Sequence, residues 1–216
     1  MIFYANAVSS YSAKVRIVLA VKNIAFEEIA PPGGYRSAEY RAVVPMGTMP
    51  AIRVKDWVLS ESEAINEYLE ERYPEPAMMP SDLQLRARTR FLCRFHDLTL
   101  EPKVRALFAH VKPALRNPQQ VAALRAEIEM RIAQLASWVQ PQPWLLTPII
   151  SLADCGPLVN LPLAGMVLAA CEQPIALPPV LHDWLDQAQQ HPPVRHALEP
   201  WRTATQAWLA TRTAES

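Results

Sequence analysis

A chain of 216 residues, half of them apolar, can bury a core sufficient for one large domain or two small ones. Its 21 Lys and Arg balance its 21 Asp and Glu, so no net field is available to recruit nucleic acid or an anionic membrane surface. The three cysteines, Cys93, Cys155 and Cys171, form no CxxC pair and no metal-like cluster, which points away from a disulfide framework or a metal centre and towards a reducing cytoplasm. No basic segment precedes an apolar run at the start, so no signal peptide is expected. Leu158–Cys171 is short for a membrane span and is interrupted by Asn160, Pro162 and Gly165.

In chain order, Ile2-Phe3-Tyr4 predicts a strand, and a helix follows from about Ser10 to Lys22. Val15, Val18 and Leu19 make its apolar face, with Lys14 and Lys22 outside it. Phe26–Ile29 predicts a second strand, parallel to the first in a βαβ unit. After the Pro31-Pro32-Gly33-Gly34 loop, Ser37 caps a short helix to about Ala42. Ala51–Val54 and Trp57–Leu59 flank the polar pair Lys55-Asp56 as a hairpin. Ser62–Arg72 is a helix with Ile65, Tyr68 and Leu69 on one face.

Prolines 74, 76 and 80 then punctuate a linker, and strand signals nearly vanish. This divides the chain into a mixed α/β domain over residues 1–78 and an all-helical domain over residues 81–216. In the second, Ser81–Gln84 reads as a capping box opening a helix to about Leu107, kinked at Pro102. Asn117-Pro118 opens another to Trp138. Ser151–Asp154 caps a third, which Pro157 and Pro162 should bend or shorten. Val180–Gln189, Val194–Leu198 and Trp201–Thr211 complete the chain as separate helices.

Three short stretches carry chemistry. Met49-Pro50 precedes a strand, where a cis linkage would leave the Met49 amide and carbonyl free to pair with an extended peptide. Glu61-Ser62 puts a hydroxyl and unpaired amides at a helix N-terminus, a seat for a carboxylate; a Ser60–Glu63 capping box could share it. Ser9-Ser10-Tyr11-Ser12 puts hydroxyls at another helix start. Together they describe a site for a small anionic peptide.

Strand–helix–strand–helix–hairpin–helix with proline before the third strand is the thioredoxin-like arrangement. Joined to a helical second domain, the whole chain resembles a cytosolic glutathione transferase. The resemblance rests on Ser9–Arg16, Met49-Pro50, Glu61-Ser62 with Ala64-Ile65, and Ser151-x-x-Asp154, and it is nearest to the serine-type, zeta-like branch. It implies glutathione as co-substrate, bound along Met49 and Pro50 with its γ-glutamyl carboxylate at Glu61 and Ser62. Its thiolate would be stabilised by Ser9 or Ser10, since a free thiol near pKa 8.5 is mostly protonated at neutral pH. Met46 stands where many relatives carry lysine, so Arg36 or another cation is expected to hold the glycine carboxylate. Tyr11, Leu107, Phe108 and His110 are expected to wall the pocket for a small apolar electrophile. The implied reaction is conjugation or cis–trans isomerisation, with a glutathione-dependent disulfide reductase and a non-catalytic partner-binding protein as the alternatives.

The resemblance also implies a cytoplasmic homodimer joined through the helices bearing Glu67, Glu70 and Glu71 and Arg86, Arg90 and Arg94. The arginine stripe lacks interleaved aromatics, which disfavours nucleic acid. His96-Asp97 has no nucleophile near it in sequence and reads as a packed or surface histidine, and no metal-ligand spacing occurs.

Overall fold

The structure, a computed structural model, describes residues 1–215. Four strands, β1 (Ile2–Tyr4), β2 (Glu27–Ile29), β3 (Ala51–Val54) and β4 (Trp57–Ser60), form one sheet in the order β2-β1-β3-β4. β1 pairs β2 in parallel, as the βαβ spacing requires, while β3 runs antiparallel to both β1 and β4. Strand alternation sends side chains to two faces. Phe3 and Ile52 enter a core with α1 (Ser10–Val21) and α3 (Ser62–Arg72), whereas Tyr4 and Ala51 meet Tyr40 of α2 (Ala38–Val43) and Val44.

The remaining elements are helical: α4 (Leu83–Phe95), α5 (Glu101–Ala106), α6 (Pro118–Trp138), α7 (Leu152–Ala170), α8 (Pro179–Ala188) and α9 (Pro192–Ala214). The long helix expected to kink at Pro102 is interrupted one turn earlier, by a π-helical turn over His96–Leu100. Pro102 lies in the first turn of α5, directly after that π-helical turn. Asp82, not Ser81, caps α4, its carboxylate accepting the Leu85 N–H at 2.9 Å.

Two further expectations are corrected. Pro157 and Pro162 do not shorten α7, which continues for 19 residues, because neighbours bury it on nearly every side and tertiary packing offsets the two lost backbone bonds. That burial also explains why a helix apolar enough to cross a membrane lies inside the protein. The two terminal helices form one, α9, with Pro200 inside it.

Lys14 and Lys22 do not lie outside the apolar face of α1; both are buried. Burying an ammonium is costly unless it is paired. The Lys22 ammonium meets Glu70 at 2.7 Å and the carbonyls of Tyr73 and Pro76 at 2.6 and 2.8 Å. Glu70 in turn accepts the Met78 and Met79 amides. A charge network therefore ties α1 to α3 and to the proline-rich segment leading into the helical region.

Candidate functional site

Sheet register brings the three chemical stretches to one edge. Tyr4, at the end of β1, pairs with Ala51, and Ala51 also pairs with Ser60. The loop leading from β1 to Ser9, the Met49-Pro50 approach to β3, and the Glu61-Ser62 exit from β4 therefore lie side by side. The Met49–Pro50 peptide is cis, and the Met49 amide and carbonyl enter no backbone hydrogen bond among the described residues.

At α3 the expected Ser60–Glu63 box does not form. Ser60 Oγ points to Met46 Sδ at 3.7 Å, and Glu63 reaches Lys14 instead. No side chain caps α3, so its first-turn amides and the buried Ser62 remain together at an open helix N-terminus. Glu61 precedes them with φ 75, a left-handed conformation, and is exposed.

Ser9 is the N-cap of α1, its Oγ accepting the Ser12 N–H at 3.1 Å. Among the described residues no acceptor takes its own proton. Ser10 differs: its Oγ donates to Glu101 at 2.9 Å and accepts from Arg105 Nη2 at 2.9 Å. Tyr11 donates to the second Glu101 oxygen at 2.7 Å. Burial, reinforced by the Glu101 charge, holds the Tyr11 phenol well above its usual range, so it remains a protonated donor.

Beneath this edge, the buried Lys14 ammonium bridges Glu63 at 2.6 Å and Asp97 at 2.7 Å. Burial opposes its charge, yet the two carboxylates prevail and hold the Lys14 pKa above its ordinary value. Burial likewise opposes ionisation of Asp97, but the hydrogen bond from His96 and the charge of Lys14 outweigh it and bring its pKa to about 2. Of the two expected settings for His96, packed or on the surface, the structure shows the packed one. The π-turn is what aims Asp97 at α1.

Of the expected pocket residues, Tyr11 and Phe108 come together, linked by Arg105, whose guanidinium lies 5.0 and 5.6 Å from their ring centroids. Leu107 and His110 do not join them, which corrects that expectation. Leu107 is fully buried in the core, and the buried His110 turns its Nδ1 to the Asn117 N–H. In the short 3-10 turn they share, Phe108 is half-buried and packs tilted against Trp208 of α9, ring centroids 5.0 Å apart. Arg36 is exposed on the loop beside the Gly47 turn, its guanidinium over Tyr35, and Arg41 packs against that same turn.

Sequence reasoning missed Glu101, Arg105 and Trp208. All three act across more than ninety positions of sequence, and no local spacing signals such a meeting. The Glu101-x-x-x-Arg105 spacing, an i,i+4 acid–base pair, was the one available cue. Cys93 and Cys155 are fully interior, and burial raises both thiols well above their usual pKa, so neither supplies a thiolate.

Residues 3–77 match the domain family described as glutathione S-transferase, N-terminal domain. Over 105 residues the chain is 43% identical to maleylacetoacetate isomerase of Pseudomonas aeruginosa, covering 46% of this chain and 49% of that one. The chain therefore spans about half the length of that relative. Over 155 residues it is 29% identical to a stringent starvation protein A homolog of Pasteurella multocida, covering 72% of this chain and 70% of that one. A holo structure of maleyl pyruvate isomerase, a bacterial zeta-class glutathione S-transferase, superposes with a TM-score of 0.73 at 24% identity, over 91% of this chain and 96% of that one. The molecule has the glutathione transferase fold throughout.

Proposed function

We propose that this protein is a glutathione-dependent transferase or isomerase of the serine type, acting on a small apolar electrophile. The observation that carries the reading is Ser9: a helix-capping hydroxyl with an uncommitted proton, beside the free Met49 backbone and the open N-terminus of α3. Glutathione would lie extended along Met49 and Pro50. Its γ-glutamyl carboxylate would sit at Ser62 and the amides after Glu61, and its sulfur would meet Ser9 and the amides starting α1. A hydroxyl hydrogen bond and helix-terminal amides favour the thiolate, the species that attacks an electrophilic carbon or adds reversibly to a cis double bond.

Ser10 is assigned a different role, because Glu101 already takes its hydroxyl proton and Arg105 donates to its oxygen. Tyr11, Arg105, Phe108 and Trp208 would wall the second-substrate pocket, and Arg36 or Arg41 would hold the glycine carboxylate. The domains would divide at the linker near residue 78. We place the protein in the cytoplasm as a homodimer joined through α3 and α4, where Phe91 is half exposed and Arg90 already pairs with Glu67 at 3.4 Å.

A second reading, a partner-binding protein without catalysis, draws on Met46, which is 58% exposed and supplies no charge for a glycine carboxylate. Calorimetric titration with S-hexylglutathione distinguishes the two. Wild type should bind, and Ser62→Ala should bind roughly ten- to a hundredfold more weakly, the value of a hydrogen bond to a carboxylate. A folded wild type that shows no binding removes the enzyme reading.

A further inference from the structure

Ser10 and Tyr11 of α1 meet Glu101 and Arg105 of α5, and their mutual bonding decides what charge the pocket can offer a second substrate. The Glu101 side chain is 1% exposed. It accepts Ser10 Oγ at 2.9 Å, Tyr11 Oη at 2.7 Å, and both Nε and Nη2 of Arg105, the Nε at 3.3 Å. A carboxylate offers about four lone-pair sites, so none is left over. The two Arg105 donors make the forked contact that a planar guanidinium gives a carboxylate, and Glu101 thereby neutralises Arg105 where it stands.

The Arg105 side chain nevertheless remains 45% exposed, and its Nη1 enters no hydrogen bond among the described residues. That nitrogen can donate to a neutral oxygen. Arg105 Cζ lies 5.0 Å from the Tyr11 ring centroid; the next cation, the Lys14 ammonium, lies 5.6 Å from the same centroid and is held by Glu63 and Asp97. Around Tyr11, three carboxylates therefore stand against two cations. Ser9 and Ser10 are consecutive, so this cluster adjoins the seat assigned to the glutathione sulfur. A carboxylate entering there gives up hydration and meets no unbalanced cation. An ester or ketone gives up less and gains the Nη1 hydrogen bond.

We propose that Glu101 is a specificity-determining residue: by neutralising Arg105 it makes the second-substrate pocket accept uncharged carbonyl electrophiles and reject those that bear a carboxylate. This role rests on glutathione occupying the cleft as proposed, and it names the substrate class of that same site. Glu101 acts through Arg105 and touches no substrate itself. Glu101→Gln keeps the shape of the side chain, removes its charge, and leaves the Arg105 cation free to attract an anion.

The test is calorimetric titration with S-propylglutathione, S-(2-carboxyethyl)glutathione and the methyl ester of that added carboxyl, three ligands that share the peptide and differ in one terminal group. Wild type should bind the propyl and ester ligands, and should bind the carboxylate about tenfold or more weakly than the ester. That is the scale of one unit-charge interaction in a half-exposed site after solvent screening. Glu101→Gln should abolish or reverse the preference, with the carboxylate gaining about tenfold, an increase that structural damage would not produce. Combining Glu101→Gln with Arg105→Gln should remove the gain. If Glu101→Gln does not fold, Arg105→Gln alone leaves Glu101 unbalanced and must widen the wild-type preference for the ester. Equal wild-type affinity for acid and ester, an unchanged preference in Glu101→Gln, or a gain that survives loss of Arg105 overturns the proposal. Failure of folded wild type to bind S-propylglutathione at all would instead remove the glutathione reading, and the role of Glu101 with it.

Discussion

Replacing Asp97 by asparagine removes one of the two carboxylates that neutralise the buried Lys14, while leaving the shape of the π-turn intact. In the folded protein the Asp97 pKa lies at about 2, against 3.8 for the free side chain. Its side chain is only 18% exposed, so solvent screening discounts the effect little. A native pKa below the unfolded value means that the native state binds fewer protons, so Asp97 contributes stability above the unfolded pKa. That contribution is lost as pH falls from about 4 to about 2. The gap corresponds to about 2.5 kcal/mol at neutral pH. Urea denaturation of wild type and Asp97→Asn should therefore show a difference of about 2–3 kcal/mol at neutral pH that narrows as pH drops below about 4. A difference under about 0.5 kcal/mol, or one that does not change with pH, would refute the view that Lys14–Asp97 pairing couples α1 to the helical region.

Two other substitutions probe the packing that fixes the site. Asp154 is fully buried and accepts the Leu145 N–H at 2.9 Å and both the Ser151 N–H and its hydroxyl at 2.8 Å. Asp154→Ala orphans two buried backbone donors and should cost about 3–5 kcal/mol in denaturant unfolding. Burial holds this carboxyl up at about 6, above its unfolded value, so the penalty for charging it is absent below the unfolded pKa and complete above about pH 6. Gly156→Ala places a methyl 2.6 Å from the His96 ring. Overpacking of about 1–3 kcal/mol outweighs the helix-propensity gain of about 0.5–1, so a loss of about 1–2 kcal/mol in thermal or urea unfolding is expected.

Where a signal was local, the sequence carried it. Hairpin spacing around Lys55-Asp56, the caps at Ser9, Asn117 and Ser151, and the parallel β1–β2 pair all follow from turn chemistry and periodicity. The failures involve tertiary contacts overriding those local rules. Two lysines with helix-surface spacing are interior because Glu63, Glu70 and Asp97 meet them from other elements. Prolines that punctuate an isolated helix are absorbed into α7 and α9 by packing. Glu63, expected to close a capping box, pairs with Lys14 and so leaves the N-terminus of α3 open. The choice between Ser9 and Ser10 depended on Glu101 and Arg105, which reach α1 from more than ninety residues away.

The most direct measurement is the ultraviolet pH titration of glutathione bound to wild type and to Ser9→Ala. A capped helix N-terminus with an available hydroxyl should lower the thiol pKa in wild type by at least about one unit from its free value near 8.5, and Ser9→Ala should return it most of the way while still binding the peptide. A bound thiol that titrates near its free value in wild type, or one whose lowered pKa survives Ser9→Ala unchanged, would contradict the assignment of Ser9 as the thiolate-stabilising group.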